Sequence, residues 1–115
     1  MDFTVTIVTR NRADSLKEGL KSLTAQSYSS DRYEVIVADN GSTDGTRDVA
    51  DGMAGDFRNF RYLYDPRPGQ LVGWHRALKV AKGNIACFID DDVRPEASWL
   101  AGLATSYEDP NVGLA

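Results

Sequence analysis

The chain has 115 residues and a mass of 12.6 kDa, enough for one domain with a core of its own and no more. Its hydrophobic fraction of 42% and charged fraction of 26% exclude an intrinsically disordered or collagen-like chain. Thirteen Lys and Arg against seventeen Asp and Glu leave a formal charge of -4, which argues against a nucleic-acid binder with a basic face.

Phe3 to Thr9 reads as a strand, with apolar Val5, Ile7 and Val8 among β-branched threonines. Asn11 and Asp14 offer capping oxygens for a helix in which Leu16, Leu20 and Leu23 recur at helical spacing, ending at about Gln26. After the polar loop Ser27 to Asp31, Tyr33 to Ala38 is almost wholly apolar, as a strand covered on both faces of a parallel sheet must be. The run from Asp39 to Gly45 is a dense turn cluster. Val49 and Met53 mark a short helix, Phe60 to Tyr64 a weaker strand, and Asp65 to Gly69 a loop. Leu71, Trp74, Leu78 and Ala81 form one helical stripe that Gly83 closes. Ile85 to Ile89 is the strongest buried strand and runs into Asp90, Asp91 and Asp92. Trp99, Leu100, Leu103 and Tyr107 mark a last helix, Asp109 to Asn111 a turn, and Val112 to Ala115 the start of another strand.

The order βαβαβαβα implies a mostly parallel sheet with helices on both faces. Ligands of such sheets bind beyond the carboxyl ends of the strands. Three of those ends are polar: Thr9 to Asn11, Asp39 with Asn40, and Asp90 to Asp92. Cys87, the single cysteine, lies in an apolar run and reads as a small buried hydrophobe; one histidine, His75, cannot build a multi-histidine metal site. There is no signal-peptide pattern at Met1 and no apolar run near the ~20 residues of a membrane helix, so the expected location is cytoplasmic.

Three successive carboxylates at a strand end repel one another, and a hard divalent cation offsets that repulsion. Magnesium or manganese takes one or two protein carboxylates and completes its shell with phosphate oxygens and water, so Asp90 to Asp92 suit a metal-bound phosphate. The alternative is an acidic loop that favours the start of the next helix. Asp39 offers two acceptor oxygens to a nucleobase imide or to ribose hydroxyls, or else holds an Asx-turn for its own loop. There is no GxGxxG turn and no EF-hand spacing.

These segments, in this order, resemble family 2 glycosyltransferases. Val5 to Arg12 is similar to that family's opening strand, Glu34 to Thr46 to its second-strand signature, and Phe88 to Asp92 with Pro95, Trp99 and Leu100 to its DxD segment. The resemblance implies the Rossmann-like GT-A nucleotide-binding half: one nucleotide-diphospho-sugar-binding domain over residues 1–115, ahead of an acceptor-binding half. It implies metal-dependent, inverting transfer from a nucleotide diphosphate sugar, with a UDP-sugar favoured and manganese or magnesium as cofactor. It places Thr9, Asn11, Asp39, Asp90 and the middle-position Asp91 at the nucleotide and Asp92 on the metal. Two departures in the opening strand, Val8 for a common proline and Arg10 for a common aromatic, leave the fold expectation intact. The helix before the DxD often carries an arginine that holds the donor; here Gly73, Trp74 and His75 stand there.

The resemblance puts the general base and acceptor surface beyond Ala115, so the expectation is a chain that binds donor without turning it over. The acceptor, whether saccharide, lipid or protein, is not legible. A longer protein could sit at the inner face of a membrane, and an exposed sheet edge would favour a homodimer. The alternatives are a non-catalytic nucleotide-binding lobe, a haloacid-dehalogenase-like phosphatase using Asp90 and Asp92, and a receiver-like signalling domain. Arg94 stands against the second, and the lack of an acidic pair after the first strand stands against the third.

Overall fold

The structure, a computed structural model, describes residues 1–66 and 70–108, and for 70–74, 107 and 108 the backbone alone. Four strands, β1 (Phe3–Thr9), β2 (Tyr33–Asp39), β3 (Phe60–Tyr64) and β4 (Ile85–Asp90), form one parallel sheet in the order β3-β2-β1-β4. Helices α1 (Ala13–Thr24), α2 (Thr46–Met53), α3 (Gln70–Val80) and α4 (Trp99–Glu108) connect or follow them. A parallel α/β sheet is therefore what the alternating sequence builds.

Every residue of β1 and β2 is buried, because both central strands are covered on two faces. On one face Phe3, Val5, Ile7, Tyr33, Val35 and Val37 pack with Leu16, Leu20 and Leu23 of α1 and Leu100 of α4. Val49 and Met53 of α2 close the same layer. The alternate residues Thr4 and Glu34 point to the other face, where the end of α3 is tied down. The Thr4 hydroxyl donates to Glu34 Oε2 at 2.7 Å, which also accepts Lys82 N–H at 2.5 Å, while Gly83 N–H donates to Thr4 Oγ1 at 2.8 Å. The chain passes so close here that a Cβ on Gly83 would lie 2.4 Å from the carbonyl carbon of Phe3 and the nitrogen of Thr4.

Three expectations need correction. The run Ile85 to Ile89 is not buried on both faces: β4 is an edge of the described sheet, its residues alternate between half-buried and exposed, and Phe88 is 40% exposed. The stripe on α3 is rotated, with Ala77 buried and Leu78 53% exposed. Asn11 does not cap α1; the cap position falls at Arg12, with no side-chain bond, and Asn11 takes a left-handed backbone (φ +52°).

Helix α1 ends at Thr24, and Gln26 beyond it reaches across to α4. Its amide nitrogen donates to the Glu96 carbonyl at 2.6 Å, and its oxygen accepts Leu100 N–H at 3.1 Å. Burial pushes the Cys87 thiol pKa up, in keeping with a packing role. The loop tip 67–69, the side chains of Leu71, Trp74 and Tyr107, the turn 109–111 and the strand 112–115 lie outside the described residues. No described helix is long and apolar enough to cross a membrane.

Candidate functional site

The crossover from β2 to β3 runs outward on one side of β1, and β4 lies on its other side. The strand order thus reverses between β1 and β4, and a crevice opens beyond their carboxyl ends. Parallel register sets Thr9 beside Asp39 and Val8 beside Asp90. A cleft of about 480 Å³ lies there, and Thr9, Arg10, Arg12, Asn40 and all three of Asp90, Asp91 and Asp92 line it.

The three aspartates have different environments. Asp91 is buried, 5% exposed, and bridges the two strand ends. Its Oδ2 accepts the hydroxyl of buried Thr9 at 2.8 Å, and its Oδ1 faces Arg12 Nε at 3.3 Å. Arg94 holds the turn from behind, donating to the Asp91 carbonyl at 2.8 Å. Gly19 of α1 backs the same turn closely enough that a Cβ there would lie 3.2 Å from the Asp91 carbonyl oxygen. Asp90 and Asp92 are exposed on either side of this anchor. Among the described residues no group of three His, Cys, Asp or Glu side chains converges as an all-protein metal cage.

Asp39 and Asn11 do not line that cleft. Asp39 is 1% exposed at the end of β2. Its Oδ1 accepts Ser42 N–H, three residues on in its own loop, at 2.8 Å, and its Oδ2 accepts the Tyr62 hydroxyl from β3. Burial first, and then this bond to Asp39, hold the Tyr62 phenol well above its ordinary pKa. Arg47 lies over the Tyr62 and Tyr64 rings, 5.4 and 5.9 Å from their centroids. Asn11 pins the neighbouring loop: its Oδ1 accepts Thr43 N–H at 2.7 Å, and its own N–H donates to Ser42 Oγ at 2.8 Å. Asp44 joins the starts of two helices, accepting Ala13 N–H at 3.3 Å and both the N–H and the hydroxyl of Thr46.

The structure therefore brings Thr9, Asp90, Asp91 and Asp92 into one cleft and sets Asn11 and Asp39 in the loop network beside it. It adds Arg10, Arg12 and Asn40 to the lining; the sequence places Arg10 and Asn40 at polar strand ends without giving either a binding role, and Arg12 follows directly after. Asn40 is buried, its N–H donates to the Thr9 carbonyl at 2.9 Å, and its Oδ1 has no partner among the described residues. No sequence signal pairs Tyr62 with Asp39, because that contact depends on the β2–β3 register.

The model of the family described as glycosyl transferase family 2 matches residues 4–115. Glycosyltransferase AglE of Haloferax volcanii is 33% identical over 103 residues, which are 88% of this chain and 34% of that protein. The crystal structure of S. aureus TarS 1-349 in complex with UDP-GlcNAc is similar at a TM-score of 0.86 and 28% identity, over 94% of this chain and 31% of that one. Mannosyltransferase PcManGT from Pyrobaculum calidifontis, in complex with GDP-Man and Mn2+, is similar at a TM-score of 0.88 and 32% identity, over 96% and 33%. The chain spans about a third of the length of each of these relatives.

Proposed function

The chain belongs to glycosyl transferase family 2, and from that premise we propose that it forms the donor-binding part of a glycosyltransferase. It takes a sugar carried on a nucleoside diphosphate, a UDP-sugar first, for transfer to an acceptor with inversion at the anomeric carbon. The observation that carries this reading is the cleft at the β1–β4 reversal, with Asp90 and Asp92 exposed around an anchored Asp91. The TarS complex holds UDP-GlcNAc and the PcManGT complex GDP-Man, so both relatives support a nucleotide-sugar ligand while differing in base.

The donor set suits a divalent cation. Asp91 is occupied by Thr9 and Arg12, which leaves the hard carboxylate oxygens of Asp92 and Asp90 for magnesium or manganese, with phosphate oxygens filling the shell. When bound, such an ion supplies Lewis-acid stabilisation of the charge on the departing diphosphate. The Mn2+ of the PcManGT complex supports that assignment.

The chain's own residues do the rest of the binding. Thr9 and Asp91 fix the two strand ends against each other, so the cleft keeps its width. Ser42 and Tyr62 hold the Asp39 carboxylate in one orientation, and its remaining lone pairs accept from the base. Asn11 orders the 42–43 turn beside it. No described side chain is assigned as general base. The acceptor is a saccharide, lipid or protein hydroxyl or amine, and the protein works in the cytoplasm.

Calorimetric titration of UDP, with and without manganese, tests the reading, with GDP and TDP in parallel. Metal-dependent binding of one of the three is expected, together with its loss in Asp92→Ala at unchanged thermal stability. A folded chain that binds none of them refutes the reading, and unchanged metal dependence in Asp92→Ala removes Asp92 from the metal.

A further inference from the structure

We propose that Arg10 and Arg12 form a guanidinium clamp for the phosphate groups of the ligand in this cleft. The inference rests on the donor-site reading above and adds to it the residues that hold the anion from the β1 side. Both side chains line the cleft and both are exposed. Arg10 follows the last residue of β1 and has no ion pair or hydrogen bond among the described residues. Among the described residues the Arg12 side chain is engaged only through Nε, at 3.3 Å from Asp91 Oδ1, and it is 53% exposed. Its two terminal nitrogens are thus free to donate. The third arginine nearby, Arg94, turns Nη1 to the carbonyls of Asp91 and Val93 and does not line the cleft.

The arrangement divides the cleft by charge. Asp91 lies between the Thr9 hydroxyl and Arg12, so its charge is matched within the protein and it sets the direction of the Arg12 fork. Asp90 and Asp92, without an ion pair among the described residues, carry negative charge on the β4 side, where a cation fits. Arg10 and the free end of Arg12 carry positive charge on the β1 side. A guanidinium is planar, always charged and matched to two phosphate oxygens at once, so it holds an anion in a fixed orientation. A solvated pair of surface arginines would instead leave Arg12 without its anchor to a buried carboxylate. The anchor lowers the entropy lost when the fork closes on a ligand. Arg12 and Arg10 are binding residues in this scheme, and Asp91 is a positioning residue.

The test compares three probes on the 115-residue chain in manganese: UDP, inorganic pyrophosphate and uridine. Arg10→Gln breaks no bond among the described residues, so its thermal unfolding should match the parent. Its affinity for UDP and pyrophosphate should fall about ten-fold, the loss of one charge-assisted hydrogen bond, with uridine unchanged. Arg12→Gln should give the same pattern, and raising the salt concentration should weaken the parent more than either variant. Arg10→Lys should restore part of the affinity as a point charge without the fork. Parent-like UDP and pyrophosphate affinity in both glutamine variants overturns the clamp and leaves the donor site standing. Equal losses for uridine and UDP overturn it too, as a general disturbance of the site. A parent chain that binds no probe overturns both readings.

Discussion

Asp91→Ala separates the role of the middle aspartate from the roles of its neighbours. The substitution leaves the Thr9 hydroxyl, on a residue 3% exposed, without its acceptor, and a stranded buried hydroxyl costs roughly 1–3 kcal/mol. The lost pairing with Arg12 adds little, about 0–1 kcal/mol, because that arginine is 53% exposed and screened by water. The alanine also relieves the desolvation of a buried carboxylate, so the net loss should be about 2 kcal/mol, or roughly 8 °C in Tm for a domain of this size. Urea and thermal unfolding of the parent, Asp91→Ala, Thr9→Val and the double variant complete a cycle. Removing both partners should cost little more than removing one, a coupling of about 1–2 kcal/mol. Asp92→Ala is the internal control, and its stability should stay within about 0.5 kcal/mol of the parent. Additive losses in the cycle, or an Asp92→Ala loss as large as that of Asp91→Ala, would refute the anchoring role.

Gly83→Ala should destabilise by about 3 kcal/mol or more in urea unfolding, since its Cβ would strike backbone atoms of Phe3 and Thr4 at 2.4 Å. Asn40→Ala should leave Tm unchanged or raise it, because it removes a buried carbonyl oxygen that has no partner among the described residues. The hydrogen bond from the Thr46 hydroxyl, first among several causes, holds the Asp44 carboxyl below its usual 3.8. Its contribution to stability is therefore complete above about pH 4 and lost as pH falls through the depressed value, and Asp44→Asn should flatten the acid limb of a stability profile. Tyr62 has the opposite sign: its raised pKa gives a contribution that is complete below pH 10.0 and lost as pH rises through the folded value. A phenolate absorbance titration of Tyr62→Phe should lack one late-titrating group of the parent.

The strands were legible where composition alone decides them. The β-branched run of Phe3–Thr9 and the apolar run of Tyr33–Asp39 fit central strands, and both are wholly buried. Ile85 to Ile89 has the same composition and a different environment, because edge or centre is a property of strand order and not of the strand. Leu78 failed for a related reason: a short helix with apolar residues around much of its circumference fits more than one stripe, and the backbone of α3 brings Ala77 to the sheet. The acidic run was legible as a cluster, but its division into one anchor and two exposed carboxylates was not. That division is set by Thr9, 82 positions away in the chain. Asn11 and Asp39 were visible as polar strand ends, while the loop bonds that engage them follow from the β1–β2 register.

The distance in sequence between the two walls of the cleft has a consequence for how the molecule is assembled. Thr4 and Glu34 join β1 to β2 across 30 positions, whereas Thr9 and Asp91 join β1 to the β4 turn across 82. Closing the longer loop costs about 0.9 kcal/mol more in chain entropy, by the logarithmic scaling of loop closure. On a growing polypeptide β1, β2 and β3 can zip together before β4 has been made. The binding crevice thus comes into being only when β4 pairs with β1, so that pairing is the first moment at which the chain can hold a ligand. Ligand added during refolding should accordingly slow unfolding without speeding the earliest collapse.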